Sequence, residues 1–285
     1  MLLSDLLARG TDLLSQAGIE SANVDAELLA AHVLGISRGE LQSKVISNFE
    51  LDDAREIEEL FQKRSQRVPL QHLTGVAYFR NLTLQVGPGV FIPRPETESV
   101  AELAIQALRA VPGEPFAVDL CTGSGAIAIS LATEVPNAKV YAWELNPDSE
   151  IQLRSNIASN GGEVQLVMGD IADEHELFDV LTGCVDVVVS NPPYIPTWAI
   201  PRDIEVQLHD PDLALYGGAD GMDIMKVVSQ RALKLLKPGG FLVVEHAENQ
   251  AQIVADLLEV DGWRQIRSHR DLTARDRATT AVKAF

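Results

Sequence analysis

From Pro115 onward, short apolar runs alternate with longer segments whose apolar residues recur at helical spacing. The runs at residues 116–120, 139–144, 164–168, 185–190 and 241–246 have the length and apolar character of buried parallel strands. Between them the 3.6-residue pattern predicts helices at about residues 126–133, 147–160, 221–236 and 248–260. Strand and helix in regular alternation predict a doubly wound α/β fold with a mostly parallel sheet. The runs near residues 263–268 and 278–282 are candidate edge strands.

Upstream the pattern is helical. Leu6, Leu7, Leu13 and Leu14 share one face, and Val24, Leu28, Leu29 and Val33 another, with Gly35 as its cap. Ile57, Leu60 and Phe61 mark a third helix over about residues 52–66. These segments predict a small α-helical bundle domain over residues 1–72. Tyr78, Phe79, Leu82, Leu84 and Val86 predict two short strands around Arg80-Asn81. The run Phe91-Ile92-Pro93-Arg94-Pro95-Glu96-Thr97-Glu98 is too proline-rich for a helix interior or central strand. Residues 73–95 therefore read as a β-hairpin and proline-rich linker. The main domain spans residues 96–285 and opens with a helix that runs to about Ala110.

Composition narrows the function classes. With 46% hydrophobic and 22% charged residues the chain is globular. Its leucine-rich start carries Asp5, Arg9 and Asp12, which suits an amphipathic helix and neither a signal peptide nor a membrane span. The expected location is the cytoplasm, with no membrane partner. Cys121 and Cys184 are the only cysteines and the six histidines do not cluster, so no disulfide framework and no metal site are expected. The formal net charge is −18, and Arg202 is the only lysine or arginine between Gly161 and Asp223. A nucleic-acid groove needs cations along its phosphates, so direct nucleic-acid binding is not expected. Nothing in the sequence demands more than a monomer.

Candidate chemistry gathers at the strand ends, where open α/β sheets bind ligands. The first strand runs into Cys121-Thr122-Gly123-Ser124-Gly125, a glycine turn opening a helix whose free N–H groups suit an anionic ligand group. The second ends in Glu144, placed to accept both hydroxyls of a ribose. The third ends in Gly169-Asp170-Ile171, where Asp170 can bond an adenine amino group and Ile171 can cover the ring. The glycine turn alone also satisfies a loose dinucleotide pattern. The fourth strand delivers Asn191-Pro192-Pro193-Tyr194. Its Asn191 side-chain carbonyl, Pro192 backbone carbonyl and Tyr194 π face are what a planar NH2 group requires. A dinucleotide enzyme has no need of that motif.

Assembled, these residues resemble the class I S-adenosylmethionine-dependent methyltransferases and, more narrowly, the release-factor glutamine methyltransferases. The resemblance covers nearly the whole chain. It includes Asp25-Ala26-Glu27-Leu28-Leu29, His32-Val33-Leu34-Gly35, Gln71-His72-Leu73-Thr74-Gly75, Phe91 to Glu98 and the Thr122 to Gly125 turn. It continues through Asp210-Pro211, Ala214-Leu215-Tyr216-Gly217-Gly218 and Asp220-Gly221. It implies a Rossmann-like, seven-stranded sheet, S-adenosylmethionine as cofactor and S-adenosylhomocysteine as product. The implied partner is a peptide chain release factor, engaged by the helical domain and methylated at the glutamine amide nitrogen of its Gly-Gly-Gln loop. By the same resemblance Cys121, Thr122, Gly123, Ser124, Gly125, Glu144, Ile171 and Asn191 would bind the cofactor, and Asn191, Pro192, Pro193 and Tyr194 the glutamine. Asn191, Pro192 and Tyr194 would act on the reacting amide. The chain departs from the family's pattern at Cys121, at Glu245-His246-Ala247 and at Ala274-Arg275. The motif Asn191 to Tyr194 is shared with adenine-N6 methyltransferases on DNA or RNA, the alternative reading, which the acidic surface disfavours. A non-catalytic release-factor-binding domain is a further alternative, and the intact motif argues against it.

Overall fold

A computed structural model describes all residues, Met1–Phe285. The chain divides into two compact units, one formed by Met1–Val76 with Pro201–His209 and the other by Ala77–Ile200 with Asp210–Phe285.

The first unit is helical. Its helices are α1 (Leu3–Gln16), α2 (Ala22–Leu34), α3 (Arg38–Ile46), α4 (Arg55–Ser65) and α5 (Leu70–Thr74). Leu3, Leu6, Leu14, Leu29, Leu41, Ile57 and Phe61 fill its core. Helix α2 turns a different face inward from the one its large residues predict. It buries Ala22, Ala26, Leu29 and Ala30 and leaves Val24, Leu28 and Val33 partly exposed. The reason is a buried ion pair on the same face, where Arg64 Nε donates to Asp25 Oδ2 at 2.7 Å. Arg64 Nη1 also donates to Glu205 at 2.7 Å, within the segment that returns to this unit. Helix α3 has too weak an apolar stripe to be predicted. A capping box starts it, with Glu40 N donating to Ser37 Oγ and the Glu40 carboxylate accepting from Ser37 N.

The second unit opens with a two-stranded sheet, β1 (Val76–Phe79) and β2 (Leu82–Gln85). After α6 (Thr97–Arg109) come β3 (Phe116–Leu120), α7 (Ala126–Glu134), β4 (Lys139–Glu144), α8 (Glu150–Asn160) and β5 (Val164–Met168). Next are α9 (Glu176–Leu181), β6 (Val185–Ser190), α10 (Ile204–His209, in the helical unit), α11 (Asp212–Leu215) and α12 (Asp223–Leu235). The chain ends with β7 (Leu236–Glu245), α13 (Ala251–Val260), β8 (Arg264–Arg270) and β9 (Asp276–Val282). Helices α5, α9, α10 and α11 are too short to leave a readable period. Strand β7 starts five residues before its apolar run, because Leu236 pairs with Val185 and Gly239 N donates to Lys283 O despite the intervening Pro238.

The main sheet is seven-stranded, in the order β5-β4-β3-β6-β7-β9-β8. Strands β3 to β7 are parallel, and β9 runs antiparallel to both β7 and β8. One face packs Ala117, Val140, Val187, Val189 and Val243 under α6 and α7. The other packs Val118, Leu120, Trp143, Val188 and Val244 under α9, α12 and α13. That alternation along β3 and β6 is the period of two expected of strands covered on both sides. The outer strand β8 exposes Arg264, Arg267 and Arg270, charges that discourage edge-to-edge pairing.

Strand order reverses between β3 and β6, the switch point where such sheets leave a crevice. Register aligns the strand ends there. Leu120 pairs with Trp143 and with Ser190, Glu144 with Met168, and Ser190 with Val244.

Candidate active site

A cavity of about 380 Å3 opens at the aligned strand ends. Thr122, Glu144, Asp170, Ile171, Asn191 and Tyr194 contribute to its wall, as do Cys121, Gly123, Ser124 and Pro193. Two residues singled out from the sequence do not line it. Gly125 stands behind the turn as the N-cap of α7, and Pro192 is buried.

The turn after β3 is held from below by Asp119. Its Oδ2 accepts from the Thr122 hydroxyl at 2.6 Å and from Ala128 N at 3.1 Å. Complete burial pushes its pKa up to about 7 despite those two donors. Cys121 adopts a left-handed φ of 65° at the start of the turn, and burial pushes its thiol pKa upward. Such a thiol stays protonated and is not a nucleophile. Gly125 has φ 86°, and a Cβ there would lie 2.7 Å from Leu153 Cδ1. Only glycine fits both its conformation and that packing.

Glu144 faces this turn. One carboxylate oxygen accepts from Gly123 N and the other from Asn146 N, each at 2.7 Å. Burial raises its pKa and these backbone donors oppose the rise. Each oxygen keeps a second lone pair, so the carboxylate can accept further hydrogen bonds from a ligand. Asp170 uses Oδ1 to accept from Ala172 N at 2.8 Å. Ile171 is buried, and its carbonyl accepts from Arg231 Nε at 2.9 Å. Arg231 also reaches Asp173 O at 2.9 Å, so this arginine from α12 shapes the loop after β5.

The fourth strand end is braced most heavily. Ser190 Oγ donates to Leu120 O at 2.6 Å, tying β6 to β3. Gln250 Nε2 donates to Tyr194 O at 2.9 Å. Segment Leu215 to Gly221 lies along the motif, with Ile195 N donating to Leu215 O, Gly217 N to Ile195 O and Thr197 N to Gly218 O, all at 2.9 Å. Side chains at Gly217 and Gly221 would collide with the carbonyl oxygens of Pro193 and Tyr194. The linker contributes Phe91, Pro93 and Thr97 to the cavity wall. Arg94 stacks over Phe91 at 5.0 Å and pairs with Asp210.

Behind the motif Asn191 Nδ2 donates to Thr97 Oγ1 at 3.4 Å. Glu245 lies wholly buried at the end of β7. Burial pushes its pKa up to about 7, while hydrogen bonding from Thr97 and Tyr194 and the charge of Arg277 pull it down. Burial and the nearby Glu245 raise the Tyr194 phenol, which stays protonated. Sequence reading missed Thr97, Arg231 and Gln250 as supports. No local signal marks them, because their partners lie 94, 60 and 56 positions away.

The wall thus offers a carboxylate, backbone N–H groups and an apolar floor at β3 to β5, with an amide, a carbonyl-rich turn and a flat aromatic ring at β6. That arrangement suits a nucleoside-like ligand beside a small planar group.

Comparison with known proteins accords with both units. Residues 5–75 match the family model described as PrmC N-terminal domain, and residues 81–208 match the Methyltransferase small domain. The chain is 48% identical to the release factor glutamine methyltransferase of Streptomyces coelicolor, covering all of this chain and 99% of that one. It is 42% identical to the enzyme of the same name from Mycolicibacterium smegmatis, over 99% of this chain and 98% of that one. Among solved structures, a methyltransferase from Pyrococcus furiosus shares the fold with a TM-score of 0.53 at 20% identity, covering 72% of this chain and 90% of that one.

Proposed function

The chain belongs to the release factor glutamine methyltransferase family, and from that premise we propose that it methylates the side-chain amide nitrogen of the glutamine in the Gly-Gly-Gln loop of peptide chain release factors, with S-adenosylmethionine as donor. One observation carries the reading: the sheet register brings the nucleoside-type wall and the Asn191 to Tyr194 motif to one cavity.

The wall fits the cofactor's chemistry. Glu144 keeps lone pairs for ribose hydroxyls, Asp170 has a carboxylate oxygen beyond the one held by Ala172, and Ile171 gives an apolar face. The Cys121 to Gly125 turn offers backbone at the methionine end. Bound there, the cofactor supplies an electrophilic methyl group on a sulfonium.

This chain's own residues act on the acceptor. An amide nitrogen is a poor nucleophile because its lone pair is delocalised into the carbonyl. The Asn191 side-chain carbonyl accepts an N–H bond of the amide, orients the lone pair and stabilises the positive charge that develops on nitrogen, with the backbone carbonyls of the turn that follows as further acceptors. The Tyr194 ring lies flat against the amide and adds cation–π attraction of about 1–2 kcal/mol once water is excluded. No side chain need remove a proton beforehand, since the amide proton leaves after the nitrogen becomes cationic. Glu205, paired with Arg64 and Arg67, and Asp210, paired with Arg94, are already committed to structural ion pairs. No helix of the chain is long and apolar enough to cross a membrane.

Asn191→Ala tests the assignment. Removing one preorganised acceptor should lower kcat by roughly 100- to 1000-fold while association with release factor, measured by titration, stays intact. A variant with wild-type turnover would remove Asn191 from the mechanism.

A further inference from the structure

A buried guanidinium stands behind the loop that follows β5. Arg231 of α12 is 6% exposed and does not line the cavity, yet it binds three successive carbonyls of that loop. Its Nε donates to Ile171 O at 2.9 Å, and its Nη2 to Ala172 O at 3.3 Å and Asp173 O at 2.9 Å. The guanidinium lies 4.0 Å over the Phe178 ring, which stacks in turn on Trp143 at 4.3 Å. Its ion pair, with Glu174 at 3.8 Å, is with an exposed side chain. Backbone carbonyls therefore take most of what this arginine donates.

Asp170 holds the same turn from within. Its Oδ1 accepts from Ala172 N at 2.8 Å, and its backbone carbonyl from Asp173 N at 3.2 Å. The turn's amides are thus bound by Asp170 and its carbonyls by Arg231. With Oδ1 committed, Oδ2 is the oxygen left for a ligand. A carboxylate oxygen accepts only, so it takes the 6-amino group of adenine and repels a 6-oxo group in the same place. Resting on the function proposed above, we propose that Arg231 is a positioning residue that sets the base specificity of the cofactor site. By clamping the carbonyls of Ile171 to Asp173 it holds the Asp170 carboxylate and the Ile171 side chain where they select a 6-amino purine. Without the clamp three carbonyls lose their donor, the turn relaxes and Asp170 loses its fixed aim. Glu144 and the glycine turn still hold the rest of the nucleoside.

The test is calorimetric titration of the full-length protein with S-adenosylhomocysteine and with S-inosylhomocysteine, which carries a 6-oxo group in place of the amino group. Wild type should bind the adenine compound more tightly by roughly 10- to 100-fold, as expected of a hydrogen bond to a charged group. Arg231→Met should abolish most of that preference, weakening the adenine compound and leaving the inosine compound near its wild-type Kd. An arginine that only stabilised the fold would weaken both alike and leave their ratio unchanged. Asp170→Asn should also lose the preference, and the double variant should lose no more than Asp170→Asn, because both act through one carboxylate. Arg231→Lys keeps the charge without the planar fork that spans three carbonyls, and should recover little. The inference is overturned by a preference that survives in Arg231→Met, by equal weakening of both compounds, by additive losses, by full recovery in Arg231→Lys, or by a wild type that binds both compounds alike or neither. If Arg231→Met does not fold, Phe178→Leu, which removes the ring under the guanidinium, decides in its place: the preference should shrink, and an unchanged preference overturns the inference. A wild-type enzyme that leaves release factor unmethylated removes the functional reading, and the ratio of the two Kd values still decides the role of Arg231.

Discussion

Gly221→Ala should cripple methyl transfer without unfolding the protein. Gly221 has φ 77°, a left-handed conformation that costs an alanine about 1–2 kcal/mol. Its new Cβ would collide with the Tyr194 carbonyl oxygen, and would sit 3.0 Å from the Tyr194 carbonyl carbon and 2.9 Å from Gln250 Nε2. Carbon contacts settle near 3.5–4.0 Å, so the two loops must separate by roughly 1 Å. Overpacking of this kind costs about 1–3 kcal/mol. The total, about 2–5 kcal/mol, is within what a folded domain of about 5–15 kcal/mol can absorb. The collision falls on the motif that holds the acceptor, and its brace from Gln250 to Tyr194 O is disturbed as well. A misplacement of about 1 Å at a reacting centre can cost about 100-fold in rate. Gly113→Ala is the control, since Gly113 has φ 83° with nothing within 4 Å of its Cβ position. The assay is kcat with release factor, alongside Tm and the Kd for S-adenosylhomocysteine. Gly221→Ala should lose about 100-fold in kcat and Gly113→Ala should lose only stability. Equal kcat in the two variants would refute the bracing argument.

Two further outcomes follow from buried carboxylates. Glu144→Ala removes the carboxylate that accepts from Gly123 N and Asn146 N at the cavity wall, and should weaken S-adenosylhomocysteine binding by roughly 10- to 100-fold in calorimetry, as expected for hydrogen bonds to a charged group; unchanged affinity would move the ribose elsewhere. Glu245→Gln should stabilise the protein at alkaline pH. The folded pKa of Glu245 is raised from 4.5 to about 7, so its ionisation penalty is absent below pH 4.5, grows through the interval and is complete above pH 7. That penalty is about 3 kcal/mol. The gap in unfolding free energy between variant and wild type should therefore open between pH 4.5 and 7 and then stay level, and a gap independent of pH would contradict the assignment.

The parallel strands were legible because each is a short apolar run bounded by turn residues, and four of them have the bounds their sequence predicts. The aligned strand ends were legible for the same reason, since the apolar runs give way at or just past their ends to Thr122-Gly123, Glu144, Gly169-Asp170 and Asn191. Helix α2 was misread because a stripe of large residues usually faces the core. Here the buried Asp25–Arg64 pair joins positions 39 apart and rotates the alanine face inward. Helix α3 had a local signal in Ser37-x-x-Glu40 that its apolar pattern did not reinforce. The supports of the site, Thr97, Arg231 and Gln250, act only across the fold, through partners no spacing rule connects. The glycines at 217 and 221 stand out in the sequence, but their purpose appears only where the neighbouring carbonyls approach.

The central claim rests on where the methyl group goes. Incubating purified release factor with this protein and S-adenosylmethionine, then locating added mass by fragmentation, tests it directly. The account predicts a single methyl on the side-chain amide of the Gly-Gly-Gln glutamine. An unmodified glutamine, with methylated adenine appearing in a parallel nucleic-acid reaction, would contradict it.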